Sequence, residues 1–168
     1  MGQGIRIFPK TVRLQRKKVI VPAKRIRHGS AFGYSFMIQP QGKLRDWGSI
    51  LHKGNSNKER GPAIFFLPKS SRLHIRVSTE KNWNEGCDAK SDLPMKRWTR
   101  VFVQFRPGVA EVYFNGKLQN RCKIGKLIKR NSGPLYAGDP WHAAAKAGIR
   151  DVRLHVRPLT PAMVAKIH

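Results

Sequence analysis

Residues 98–123 read WTRVFVQFRPGVAEVYFNGKLQNRCK, and this stretch decides the fold class. Trp98–Phe105 is dense in β-branched and aromatic residues and reads as a strand. Arg106-Pro107-Gly108 is a turn, and Glu111–Phe114 is a second strand. Asn115-Gly116 is the strongest short hairpin signal, because both residues accept the positive φ that a two-residue turn demands. Lys117–Cys122 is therefore expected to return as the partner strand.

Outward from this meander the same pattern recurs. Phe32, Tyr34, Phe36 and Ile38 alternate with smaller or polar residues and stop at Pro40. Gly48–Leu51 is a short run, and Ala63–Leu67 is a compact apolar run closed by Pro68. Leu73, Ile75 and Val77 point one way, with Arg72, His74, Arg76 and Ser78 the other. Leu135–Ala137 and Gly148–Arg157 are the last strands, the latter with Val152, Leu154 and Val156 inward and Arg153, His155 and Arg157 outward. Residues 79–97 read as a polar loop. Only the end is helical: Thr160 caps and Pro161 opens a short helix through Lys166. Roughly seven to ten short strands with frequent turns predict an all-β, two-sheet antiparallel sandwich.

The chain has 168 residues, of which 40% are hydrophobic, enough for one domain with a real core. Its 11 Pro and 15 Gly favour turns over long helices. No run of 18 apolar residues exists, which excludes a membrane-spanning helix. Charge is the outlying property: 34 Lys+Arg against 9 Asp+Glu leave +25. Self-repulsion at that charge opposes folding, so an acidic partner is expected.

The charge starts early. Residues 1–28 hold nine Lys/Arg and no acid, and the first carboxylate is Asp46. An organellar presequence is also basic and acid-poor, but is normally Ser-rich and helical. Here the first Ser is Ser30, and Val19-Ile20-Val21-Pro22 favours extended chain. The preferred division is a basic N-terminal arm over 1–30, contributing a strand as it enters a sandwich domain over 31–168. MGQGIRIFPK contains no apolar leader core, and Arg6 defeats a myristoylation reading of Met-Gly. The protein is therefore expected inside the cell. Cys87 and Cys122 are too few for a disulfide scaffold and lack CxxC spacing; a bridge between them stays open.

The order of several motifs resembles a laminin-G-like domain of the concanavalin A-like lectin/glucanase superfamily. They are Tyr34–Ile38, Asp46-Trp47-Gly48-Ser49-Ile50-Leu51-His52-Lys53-Gly54, Arg60–Ile64, Trp98–Val101, Val112–Leu118, Gly133–Tyr136, Gly138-Asp139-Pro140-Trp141 and Ile149–Arg153. The resemblance runs from about Ala31 to the C-terminus and implies a two-sheet jelly roll. It implies little about activity, because members include glycan-binding modules, adhesion domains, hydrolases and parts of large assemblies.

Glycoside hydrolysis needs two carboxylates about 5–10 Å apart. The acidic Glu-x-Asp-x-x-Glu strand of the superfamily's hydrolases is missing, so no catalytic residue, and no enzyme, is expected. Asn82–Asp88, Asp46 and Asp139 offer oxygens for calcium, but such residues more often stabilise turns; no metal or other cofactor is expected. Trp47, Trp83, Trp98 and Trp141 are candidate sugar-stacking platforms, but no distinctive cluster supports a glycan site: Trp98 is expected in the core, and Trp47 and Trp141 are expected, from the resemblance, to pack the ends of the sandwich. His52, His74, His142 and His155 show no ligand or catalytic spacing.

The expected interface is electrostatic. Its residues are Arg6, Lys10, Arg13, Arg16, Lys17, Lys18, Lys24, Arg25 and Arg27 of the arm, Arg72 and Arg76, then Lys117, Arg121, Lys123, Lys126, Lys129 and Arg130, and last Arg153 and Arg157. Cations two apart on a strand sit about 7 Å from each other, close to phosphate spacing. The expected partner is RNA, read without base specificity, and the expected role is a structural subunit of a ribonucleoprotein, an organellar (mitochondrial) ribosome, touching rRNA and neighbouring proteins. A glycan-binding lectin-like module and an internal structural protein of a large virion are the alternatives.

Overall fold

A computed structural model describes residues 3–168. The alternating segments form thirteen strands: β1 (Ile5–Arg13), β2 (Val19–Val21), β3 (Phe32–Pro40), β4 (Gly48–Lys53), β5 (Ala63–Phe66), β6 (Arg72–Val77), β7 (Glu85–Asp92), β8 (Thr99–Arg106), β9 (Val109–Phe114), β10 (Lys117–Lys123), β11 (Leu135–Tyr136), β12 (Ala143–Ala144) and β13 (Ala147–His155). They build two sheets, one ordered β1-β13-β3-β8-β9-β10 and the other β2-β11-β4-β5-β6-β7, with β12 paired to β4. Apart from the parallel β12–β4 pair, every pairing is antiparallel. The chain is thus an antiparallel two-sheet jelly roll.

The core lies between the sheets. Phe32, Tyr34, Phe36 and Ile38 of β3, Leu73, Ile75 and Val77 of β6, and Val101, Val103 and Phe105 of β8 are buried there. Each of the aliphatic and phenylalanine side chains contributes about 1.5–3 kcal/mol by leaving water. The β9–β10 hairpin turns at Asn115 and Gly116, with φ of 49° and 82°, as the dipeptide requires. The helix α1 (Pro161–Val164) starts where expected, and the Thr160 hydroxyl accepts the Met163 N–H. Its Val164, with Leu159, packs on Phe102 and Tyr113 on the outer face of the six-stranded sheet.

Four expectations need correction. The basic N-terminal segment supplies the strand expected of it, β2, which pairs with β11, but also β1, which pairs with β13, so it joins both sheets and is not an arm apart from the domain. Ile7, Leu14, Val21 and Ile26 give it a buried side. The boundary at residue 30 therefore falls inside one structural unit; Met1 and Gly2 of the expected arm lie outside the described residues. Residues 79–97 are not all loop, since β7 pairs with β6. It was illegible because its inward positions carry only Cys87 and Ala89, and it is an edge strand. Arg153 and His155 do not face solvent; both are buried beneath the chain termini, Arg153 donating to the Gln3 and His168 carbonyls. Trp98 is half-buried, with the Arg150 guanidinium 4.1 Å from its ring centre, rather than in the core.

Cys87 and Cys122 form a disulfide that ties β7 to β10, edge strands of opposite sheets. Among the described residues no helix is long and apolar enough to cross a membrane.

Candidate functional site

The outer face of the seven-stranded sheet carries side chains that pattern alone could not assemble. Register sets Ser49 beside Phe65, Phe65 beside His74, and His74 beside Asp88; one step along, His52 lies beside Ala63, and Ala63 beside Arg76. Residues at matching positions of a sheet point to the same face. Loops then close over them. Trp47, immediately before β4, stands 4.7 Å from the His74 ring and 6.0 Å from Phe65. His142 meets Phe65 at 4.9 Å, and Arg60 brings its guanidinium carbon to 5.1 Å from the same ring. Trp47, Arg60, Phe65, His74 and His142 so enclose a cup of about 110 Å³.

Hydrogen bonds hold each polar wall in place. Asp139 is fully buried and accepts the backbone N–H groups of Trp141 and His142 as well as His142 Nδ1. His74 Nδ1 lies 2.6 Å from Asp88 Oδ1, and Arg76 donates to His74 Nε2. Against burial, the His74 hydrogen bond and the Arg76 charge hold the Asp88 carboxyl below its usual value. Arg60, 6% exposed, donates Nε to the Asn57 carbonyl, and its two terminal nitrogens to Asn57 Oδ1 and Asn84 Oδ1. Burial pushes its pKa down to about 10, with Asp139 opposing, so it is charged at neutral pH.

The cup is one end of a row. Arg60 also walls a second cavity of about 250 Å³ with Lys58, Trp83 and Lys129, and Arg130 and Asn131 lead on to a third of about 450 Å³. In the third, Lys53 at the end of β4 is 2% exposed and donates Nζ to the Asn131 carbonyl and Oδ1. Loop 131–134 reaches Lys53 because Gly133 packs on Gly54, where a Cβ would strike backbone. The row is thus aromatic at one end and cationic at the other.

A concanavalin A-like lectin/glucanase superfamily model matches residues 15–165. The chain belongs to that superfamily. Its concanavalin A-like fold is shared with the receptor binding domain of botulinum neurotoxin mosaic serotype C/D, at TM-score 0.69 and 14% identity, over 95% of this chain and 41% of that one. A Bacteroides ovatus protein named for carbohydrate binding aligns at TM-score 0.67 and 17% identity, over 94% and 46%. The botulinum neurotoxin type G receptor binding domain aligns at TM-score 0.61 and 16%, over 83% and 38%. The concanavalin A-like chain spans less than half the length of each, and the likeness is one of fold. No curated protein sequence matches it.

The charged residues singled out from the sequence scatter over this superfamily domain. Arg27, Lys129 and Arg130 line the row of cavities. Arg76 lies beside the cup, bonded to His74 and Asp88. Lys10 and Arg13 are exposed on β1, and Lys117 and Lys123 on β10, the two edges of the six-stranded sheet, where cations oppose pairing with another chain. Arg6 and Arg153 bond to Asp151, Arg121 to Glu111, and Arg72 approaches Asp92. Arg16 donates to the Pro140 carbonyl, while Lys17, Lys18, Lys24, Arg25, Lys126 and Arg157 are exposed elsewhere. Sequence reasoning missed Lys53, Arg60 and Phe65, and it discounted Trp47, Trp83, His74 and His142. Phe65 sits in the unbroken apolar run Ala63–Leu67, which conceals which face it occupies. The Asp46 and Asp139 oxygens considered for calcium accept backbone N–H groups of Trp47, Trp141 and His142.

Proposed function

We propose that this domain is a non-catalytic saccharide-binding module, the lectin-like alternative rather than the ribosomal reading. The observation that carries it is the cup, in which half-buried Trp47 presents ring surface over a floor of buried Phe65, beside hydrogen-bonded Arg60, His74 and His142. A sugar ring lays its C–H face on an aromatic and offers hydroxyls to fixed polar groups, the mixture found in small-ligand sites. The adjoining cavities extend the site for a chain of several rings. The carbohydrate-binding name of one structural neighbour and the receptor-binding names of others are consistent with a recognition role.

The Cys87–Cys122 bridge supports an oxidising compartment in place of the mitochondrial or other intracellular location expected from charge. An rRNA partner remains the second reading, favoured by exposed Lys123, Lys126, Lys129 and Arg130 along one segment. Titration of the whole chain with immobilised oligosaccharides separates the two. Stacking and hydrogen bonding persist at about 0.5 M salt, whereas phosphate-backbone binding falls steeply there. Loss of all saccharide binding at high salt, with RNA bound tightly at low salt and weakened by neutralising those four cations, would reverse the choice.

A further inference from the structure

The third cavity holds a buried cation without a counter-ion. Lys53 makes no ion pair among the described residues; its two hydrogen bonds go to neutral oxygens of Asn131. An ammonium has three N–H donors, so one remains. A charge withdrawn from water and left unpaired is costly, and folded proteins retain one where something else supplies the missing charge. Burial lowers the Lys53 pKa, and Glu59 offsets this only from a distance. Around the cavity of about 450 Å³ stand two more cations, Arg27 and Arg130, together with Ser132 and His28. No carboxylate lines it. Burial and the Lys53 and Arg130 charges lower the His28 pKa, so its ring is neutral at pH 7.

We infer that this cavity is an oxoanion site, in which Lys53, Arg27 and Arg130 hold the charged oxygens of a sulfate or phosphate ester. The three cations converge from different parts of the chain: Lys53 ends β4, Arg27 follows the single 3-10 turn at Ala23–Arg25, and Arg130 opens the loop anchored on Gly54. The site stands on its own geometry. Where it deepens the saccharide proposal, it rests on that reading and assigns the ester as a sulfate on the bound chain, because the cavity continues the row that begins at the aromatic cup.

The test is an amide-shift titration of the whole chain with inorganic sulfate, and separately inorganic phosphate, at fixed ionic strength. Saturable shifts at Gly54, Asn131, Ser132 and Gly133 are expected with either ion, and their loss in Lys53→Met. Arg130→Gln, at an exposed position, keeps the test open if Lys53→Met does not fold; it is expected to weaken the ion about tenfold. Absence of saturable shifts, or shifts unchanged in both variants, overturns the site. A second arm compares sulfated, phosphorylated and unmodified forms of one oligosaccharide. About tenfold tighter binding of the sulfated form, lost with Lys53, supports the sulfate assignment. An equal or greater gain from the phosphorylated form overturns that assignment. Saturable sulfate binding with no saccharide bound in any form supports the oxoanion site and overturns only the saccharide reading. An RNA oligonucleotide displacing sulfate while every saccharide fails makes the ester a backbone phosphate and overturns the sulfated-chain assignment.

Discussion

The guanidinium carbon of Arg60 sits 4.6 Å from the centre of the Trp83 ring. That stacking, with the fork of hydrogen bonds to Asn57 and Asn84, makes Arg60 the shared wall between the aromatic cup and its neighbouring cavity. A lysine keeps the charge but loses the planar fork. Arg60→Lys is expected to cost about 2 kcal/mol of stability, a fall in Tm of about 5 °C, and to weaken saccharide binding. Calorimetry and a binding titration check both; a variant melting with the wild type would show that the fork is not structural.

Trp47 is half-buried and lies outside the inter-sheet core. Trp47→Ala removes one ring of the cup without opening a cavity between the sheets. The expected result is loss of saccharide affinity of about tenfold or more, with Tm within about 3 °C of wild type. Retained affinity would move the site away from the cup.

His155 sets a pH dependence. Burial, followed by the charges of Arg153 and Arg100, lowers its pKa to about 4, and its Nε2 pairs with the Ser35 hydroxyl. The unfolded chain takes up that proton near the ordinary value of about 6.5, so it binds more protons than the folded state across the interval. Stability is complete above pH 6.5 and falls as pH drops toward 4, by about 3 kcal/mol in all. Denaturant titrations at a series of pH values should show this slope in wild type and a flatter one in His155→Gln. Parallel slopes would remove His155 as the cause.

The Cys87–Cys122 bridge closes a segment of sequence separation 35. The loop-closure argument gives it about 4 kcal/mol, so reduction or Cys122→Ser should lower Tm by about 10 °C. Melting with and without reductant measures this, and a reductant-insensitive Tm would exclude the bridge from stability.

Lys10, Arg13, Lys117 and Lys123 lie at sheet edges and Arg6, Arg121 and Arg153 pair with carboxylates, so the cations singled out from the sequence are spread over the domain.

From the sequence by itself came the sandwich, most of its strands, the Asn115-Gly116 hairpin and the capped last helix. These follow from local rules: side-chain alternation, turn dihedrals and capping act over a few residues. β7 escaped those rules because an edge strand with only Cys87 and Ala89 inward carries no apolar rhythm, and β1 was masked by its charges, whereas the extended reading of Val19–Val21 anticipated β2. The cup and the Lys53 cavity were decided by the tertiary structure alone. Register aligns Phe65 with His74 across strands, and a loop 78 residues further on carries Asn131 to Lys53, so neighbours in space are strangers in sequence.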